Sequence, residues 1–168
     1  KAIGNTRILF RVYTPASRFQ MDFFAVTKSF ADKHSIKTVQ DIVSKKLPIR
    51  IAINRRGNMD ADVGEAAMNL MGISRAKVEG WGGQVIHAAS KEIVSLVSDN
   101  RLDVVNFGIS YNHPRVREIA KNSSPVLLSY GKDVASKVAE QFGGEVCYVK
   151  PGEYKWSPNG AASVCMGA

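Results

Sequence analysis

Residues 49–72 read IRIAINRRGNMDADVGEAAMNLMG, and the change of period inside this stretch decides the fold class. Ile49 to Ile53 is a short, β-branched, apolar run of the kind a buried strand presents. From Asp62 to Met71 the apolar side chains Val63, Ala66, Ala67, Leu70 and Met71 recur at i, i+3, i+4, i+7 and i+8, one stripe of a helix. Asp62 with Glu65 three places on marks its start, and Gly72 its stop. Between the two lies the loop Asn54-Arg55-Arg56-Gly57-Asn58-Met59-Asp60. Strand, loop, helix is half of a βαβ unit.

The rhythm continues in both directions. Further strand-like runs are Arg7 to Tyr13, Phe23 to Thr27, Leu102 to Ile109, Pro125 to Ser129, Glu145 to Val149 and Ser163 to Met166. Helical patterns cover Thr38 to Lys45, Ser90 to Asp99, a segment opened by His113-Pro114, and Asp133 to Phe142 before Gly143-Gly144. The expected fold is therefore α/β, a mixed sheet flanked by helices. Ligands of such sheets sit beyond the carboxyl ends of strands, where loops lead into helix N-termini.

Composition bounds the function. In 168 residues, 45% are apolar and 23% charged, an ordinary globular balance that excludes a fibre or a disordered tail. No apolar run approaches the roughly 18–20 residues of a membrane-spanning helix. Lys and Arg number 23 against 15 Asp and Glu, a net +8 that favours anionic partners. The basic residues are scattered, the tightest groups being Lys45-Lys46, Arg55-Arg56 and Arg115-Val116-Arg117. With no reader motif, nucleic acid is not the expected partner.

Two loops meet the positional rule. In the first, Asn54, Asn58 and the flexible Gly57 accompany the guanidinium groups of Arg55 and Arg56. Such a loop either binds a carboxylate or phosphate at a helix N-terminus or is a solvated turn, and Asp60 and Asp62 oppose an anion. It has neither the Gly-Lys-Ser/Thr ending of a phosphate loop nor a three-glycine dinucleotide fingerprint. The second loop brings Ser110, Tyr111, Asn112 and His113 to the sheet rim. No activated nucleophile or acid partner is placed beside His113, so capping of a helix by Asn112 or His113 is expected rather than catalysis. Trp81, between Gly80 and Gly82, either forms an apolar cleft wall with one N–H donor or packs on the neighbouring helix. Tyr13 ends the first strand before Pro15, as a hinge crossing would. Tyr154 and Trp156 read as covers for a sheet edge, and His34 and His87, the latter at a helix start, as structural.

Cys147 and Cys165 lie in apolar strand-like stretches with no Cys-x-x-Cys spacing and no nearby His, so no metal or other cofactor is expected. Buried free thiols are the plain reading, with a disulfide open to them in an oxidising compartment.

The order of these motifs resembles the second lobe of TAXI-type solute-binding proteins of TRAP transporters. The resemblance is carried by Ile36-Lys37-Thr38-Val39-Gln40-Asp41-Ile42, by Ile49 to Ile53, and by Ala66 to Ile73 with its Leu-Met-Gly-Ile ending. It continues through Gln84 to Asp103, with Ser90, Val94, Leu96, Asp99, Arg101 and Asp103, and through His113-Pro114. Pro151-Gly152-Glu153-Tyr154 after Gly143-Gly144-Glu145-Val146 completes it, so that it spans roughly Arg7 to Met166.

The resemblance implies a periplasmic-binding-protein-like lobe with crossing hinge strands at Arg7 to Tyr13 and Ser163 to Met166. Its opposing lobe is expected to lie outside Lys1 to Ala168. It implies a small organic acid or amino acid as ligand, delivered to the membrane subunits of a TRAP transporter. A periplasmic location follows, with the signal peptide not in this chain, and no catalysis. The loop from Arg55 to Asp60 departs from the family's Gly/Ser/Thr-rich pattern and so names no particular ligand. The effector-sensing domain of a transcriptional regulator shares this kind of architecture and is the alternative.

Overall fold

The computed structural model describes residues 17–167. The expected strand at Arg7 to Tyr13, with Tyr13 itself, lies outside them. In chain order the described residues form β1 (Gln20–Val26), α1 (Lys28–His34), α2 (Val39–Ser44), β2 (Arg50–Ile53), α3 (Met59–Leu70), α4 (Arg75–Gly80), β3 (Gln84–His87), α5 (Ser90–Ser98), β4 (Val104–Ile109), α6 (Pro114–Ser123), β5 (Val126–Leu127), α7 (Lys132–Phe142), β6 (Glu145–Val149) and β7 (Ala161–Met166). The strands make one mixed sheet in the order β3-β2-β4-β1-β7-β6, with β5 paired to the end of β1. This is the α/β architecture expected, consistent with a periplasmic-binding-protein-like lobe.

Alternation along each strand divides the core in two. Phe24 and Val26 of β1 and Ile51 and Ile53 of β2 pack with Val63, Ala67 and Met68 of α3, Val78 of α4 and Ala135 and Val138 of α7. Met21, Phe23 and Ala25 of β1 point the other way, with Val105 and Phe107 of β4, Ile93, Val94 and Val97 of α5, and Val116 and Ile119 of α6. Each fully buried Ile or Phe contributes about 1.5–3 kcal/mol by leaving water, so the two layers dominate stability.

The parallel strands β2, β3 and β4 set the position of the site. From β2 the chain crosses by α3 and α4 to β3 on one side, and returns by α5 to β4 on the other. The helices that follow neighbouring β2 and β4, α3 and α6, lie on opposite faces of the sheet. The strand order reverses between β2 and β4, so a crevice opens beyond their carboxyl ends.

Several boundaries differ from the expected ones for identifiable reasons. Helix α3 begins at Met59, three residues before Asp62, because Asn58 Oδ1 accepts the Asp60 N–H at 3.2 Å and caps it. Strand β3 was not expected, having two apolar residues behind two glycines. Its pairing with β2 makes it. Helices α1 and α4 were not expected either, since they bury only Ala31 and Val78. His87 closes β3 instead of opening a helix. The run Ser163 to Met166 falls in β7, an interior strand between β1 and β6.

The cysteines are paired, which corrects the free-thiol expectation. Cys147 and Cys165 form a disulfide with Cα atoms 5.7 Å apart, inside the usual range for such a bridge. In the β6–β7 register Cys147 faces Ser163, so Cys165 lies two residues along on the same face. Register, which sequence spacing does not reveal, brings the sulfurs together.

Candidate functional site

Both expected loops meet at the crevice. The first lines a hollow of about 350 Å³ with Arg55, Arg56, Lys91 and Arg115 around it. The second lines one of about 490 Å³ with Ser110, Asn112 and His113 on one side and Phe19, Gln20 and Asp60 on the other. Ser90 and Arg115 border both hollows, which makes them wings of one groove. Sequence reading missed Ser90, Lys91, Arg115, Phe19 and Gln20 as groove residues. The helices of the first three were expected, but that Ser90 and Lys91 follow a strand, β3, and that Arg115 borders the groove are set by the tertiary structure.

The groove's electrostatics follow from its parts. Among the described residues Arg55, Arg56, Lys91 and Arg115 make no ion pair, whereas Arg18, Arg50 and Arg75 each have a carboxylate. Helix α5 starts at Ser90 behind Ala89, which offers no side-chain cap, so the first N–H groups of α5 face the groove without a side-chain acceptor. Helices α3 and α6 also point their N-termini here, capped by Asn58 and His113. Positive helix ends and unpaired cations together attract an anion.

The polar residues of the two loops divide by job. The Asn54 side chain is buried, and its Oδ1 accepts the Gly108 N–H at 2.9 Å, which ties the first loop to the second. His87 Nδ1 lies 2.9 Å from the Asn54 carbonyl oxygen, and its Nε2 lies 3.0 Å from Glu65 Oε1. Asn54 is thus a brace, although it borders the groove. Gly57 adopts φ +80°, the left-handed region open to glycine, and turns the loop between Arg56 and Asn58. His113 Nδ1 accepts the Arg115 N–H at 3.1 Å, the capping role expected of it. Burial and the Arg115 charge hold its pKa below the usual histidine value.

Asp60 is a second brace. Gln20 donates to its carboxylate, and burial holds its pKa above the usual aspartate value. A Cβ on Gly108 would stand 2.6 Å from Asp60 Oδ1, so only glycine leaves room for this acid against β4. Asp22, the β1 residue opposite Gly108, is buried with its Oδ1 unpartnered among the described residues, and desolvation followed by repulsion from Asp60 pushes its pKa well up. Asn106 Nδ2 donates to the Gly64 carbonyl at 3.0 Å and its Oδ1 accepts from the buried Tyr130 hydroxyl.

Two expected site residues lie elsewhere. Trp81 caps the end of α4 and packs against the core before β3 starts, at the amino ends of the parallel strands. Tyr111 turns away from the groove that its neighbours line. Its ring lies 3.8 Å under the Arg18 guanidinium and stacks on Tyr154 at 4.8 Å, with Trp156 next at 4.6 Å. The Tyr154 hydroxyl donates to the Tyr111 carbonyl at 2.5 Å. Arg18 also pairs with Glu153 at 2.7 Å, and this hydrogen-bonded guanidinium holds the Glu153 carboxyl down at about 2. Tyr111 therefore fixes the second loop to the start of β1 and the 150–157 turn.

Among the described residues no helix is long and apolar enough to cross a membrane. No protein-family model matches the chain, and a comparison with curated proteins found no relative.

Proposed function

We propose that this chain is a ligand-binding lobe of an extracytoplasmic solute receptor serving a TRAP-type secondary transporter. In this reading it holds a small organic acid or amino acid, an opposing lobe folds over it, and the closed receptor delivers it to the membrane subunits. One observation carries the reading. Two loops at the switch point of the sheet converge on one groove bordered by four cations that make no ion pair among the described residues. A half-site of this kind is closed by a second body, and a ligand touching both bodies favours the closed state. The Cys147–Cys165 disulfide supports an oxidising compartment such as the periplasm, and weighs against a cytoplasmic sensor.

The test is made on the complete receptor, with its opposing lobe. Small-angle scattering should show compaction when an organic acid is added. Arg56→Ala with Arg115→Ala should weaken binding by about tenfold or more, the loss of a charge-assisted hydrogen bond. Unchanged dimensions at saturating acid, or a shift of duplex DNA by the complete protein, overturns the reading.

A further inference from the structure

The groove is not uniform along its length, and its asymmetry specifies a ligand. The wing bordered by Arg55, Arg56 and Lys91 has no carboxylate among its described lining residues. The other wing is lined by Phe19, Ile109 and Pro114, with Asp60 as its acid. Phe19 is 44% exposed at the rim. Ser110, Asn112 and His113 supply uncharged polar atoms beside it. Arg115 stands where the wings join. An acidic head seated among the cations leaves its body for the wing that carries Phe19, Ile109 and Pro114. A second anionic group in that wing would meet the Asp60 carboxylate and lose its hydration against the apolar side chains.

Resting on the receptor reading above, we infer that the ligand is an amphipathic monoanion: one acidic head at Arg55, Arg56, Lys91 and Arg115, and an uncharged, partly apolar body along Phe19, Ile109 and Pro114. The groove discriminates against a dicarboxylate of similar length.

Amide-resolved NMR titration of the chain tests this, because it detects millimolar binding by a single lobe. The probes are phenylacetate, succinate and inorganic phosphate. Phenylacetate should move the amides of Ser90, Ile109 and Arg115 and bind about fivefold or more tighter than succinate. Arg115→Ala should weaken phenylacetate by about tenfold, as a lost charge-assisted contact does. Phe19→Ser should weaken phenylacetate by about threefold or more, in line with a lost apolar contact, and leave phosphate unchanged. Succinate or phosphate binding as tightly as phenylacetate, or indifference of phenylacetate to Phe19→Ser, overturns the ligand class and leaves the receptor reading standing. Silence with all three probes overturns the groove as a site, and both readings with it.

Discussion

The parallel and antiparallel halves of the sheet are held together by different means. Around β2, β3 and β4 stability comes from packing on both faces, and the polar side chains at the carboxyl ends brace loops around an open groove. Around β1, β7 and β6 a disulfide, an Arg18–Glu153 ion pair and a four-layer stack of Arg18, Tyr111, Tyr154 and Trp156 tie the pieces directly. The difference has a physical reason. Strands β2 and β4, covered by helices on both faces, bury enough apolar surface to need no covalent staple. Strand β6 is a sheet edge with Tyr148 51% exposed, and gains less from burial.

That contrast can be broken experimentally. Ile53→Ala in β2 should cost about 4 kcal/mol in a urea titration, as a cavity in a sealed core does. Reducing the disulfide should cost about 3 kcal/mol, and hydrogen exchange should rise in β6 and β7 while β2 and β4 stay protected. Uniform loss of protection would show that the halves are one cooperative unit.

Gly108→Ala should cost about 2 kcal/mol through collision with Asp60, measured by thermal unfolding. Asp60→Ser in the same chain should recover part of that cost; no recovery would place the strain elsewhere.

Asp22 gives a pH dependence with a definite sign. Its pKa is raised in the folded state, so its contribution to stability is complete below the unfolded value near 4 and is lost as pH rises through the folded value. Asp22→Asn should therefore gain about 1–2 kcal/mol over the parent at pH 8 and flatten the profile, the order expected for a buried unpartnered polar group. An unchanged profile would mean that Asp22 is not the titrating group.

The smallest effect expected is at the second cap. His113→Ala should cost about 1 kcal/mol above pH 7. Because the folded state lowers the His113 pKa, the stability it supplies is present above about 6.5 and fades as pH falls through the folded value. The difference between parent and variant should shrink accordingly in acid.

Much of this was legible beforehand. The periodicity of Val63, Ala67 and Leu70 located α3, the Asp133 to Phe142 pattern located α7 within one residue, and Gly143 ended it. Both groove loops were found from position alone, because strand-to-helix connections at carboxyl ends are where an α/β sheet leaves backbone donors free. Of the two readings open to Trp81, packing on the neighbouring helix holds and the cleft wall does not, because a glycine-flanked aromatic looks the same in sequence at either end of a strand. Tyr111 was misplaced because its direction is set by Arg18 and Tyr154, respectively 93 residues before and 43 after it in the chain.

Sequence by itself determined the α/β class, the excess of positive charge and the two loops, since these depend on local period and composition. Tertiary structure alone decided that β3 exists, that the cysteines pair, and that Phe19, Ser90 and Arg115 complete a groove with cations at one end and apolar surface at the other. Those features depend on register and on strand order, which bring together residues far apart in the chain, and no local pattern encodes either.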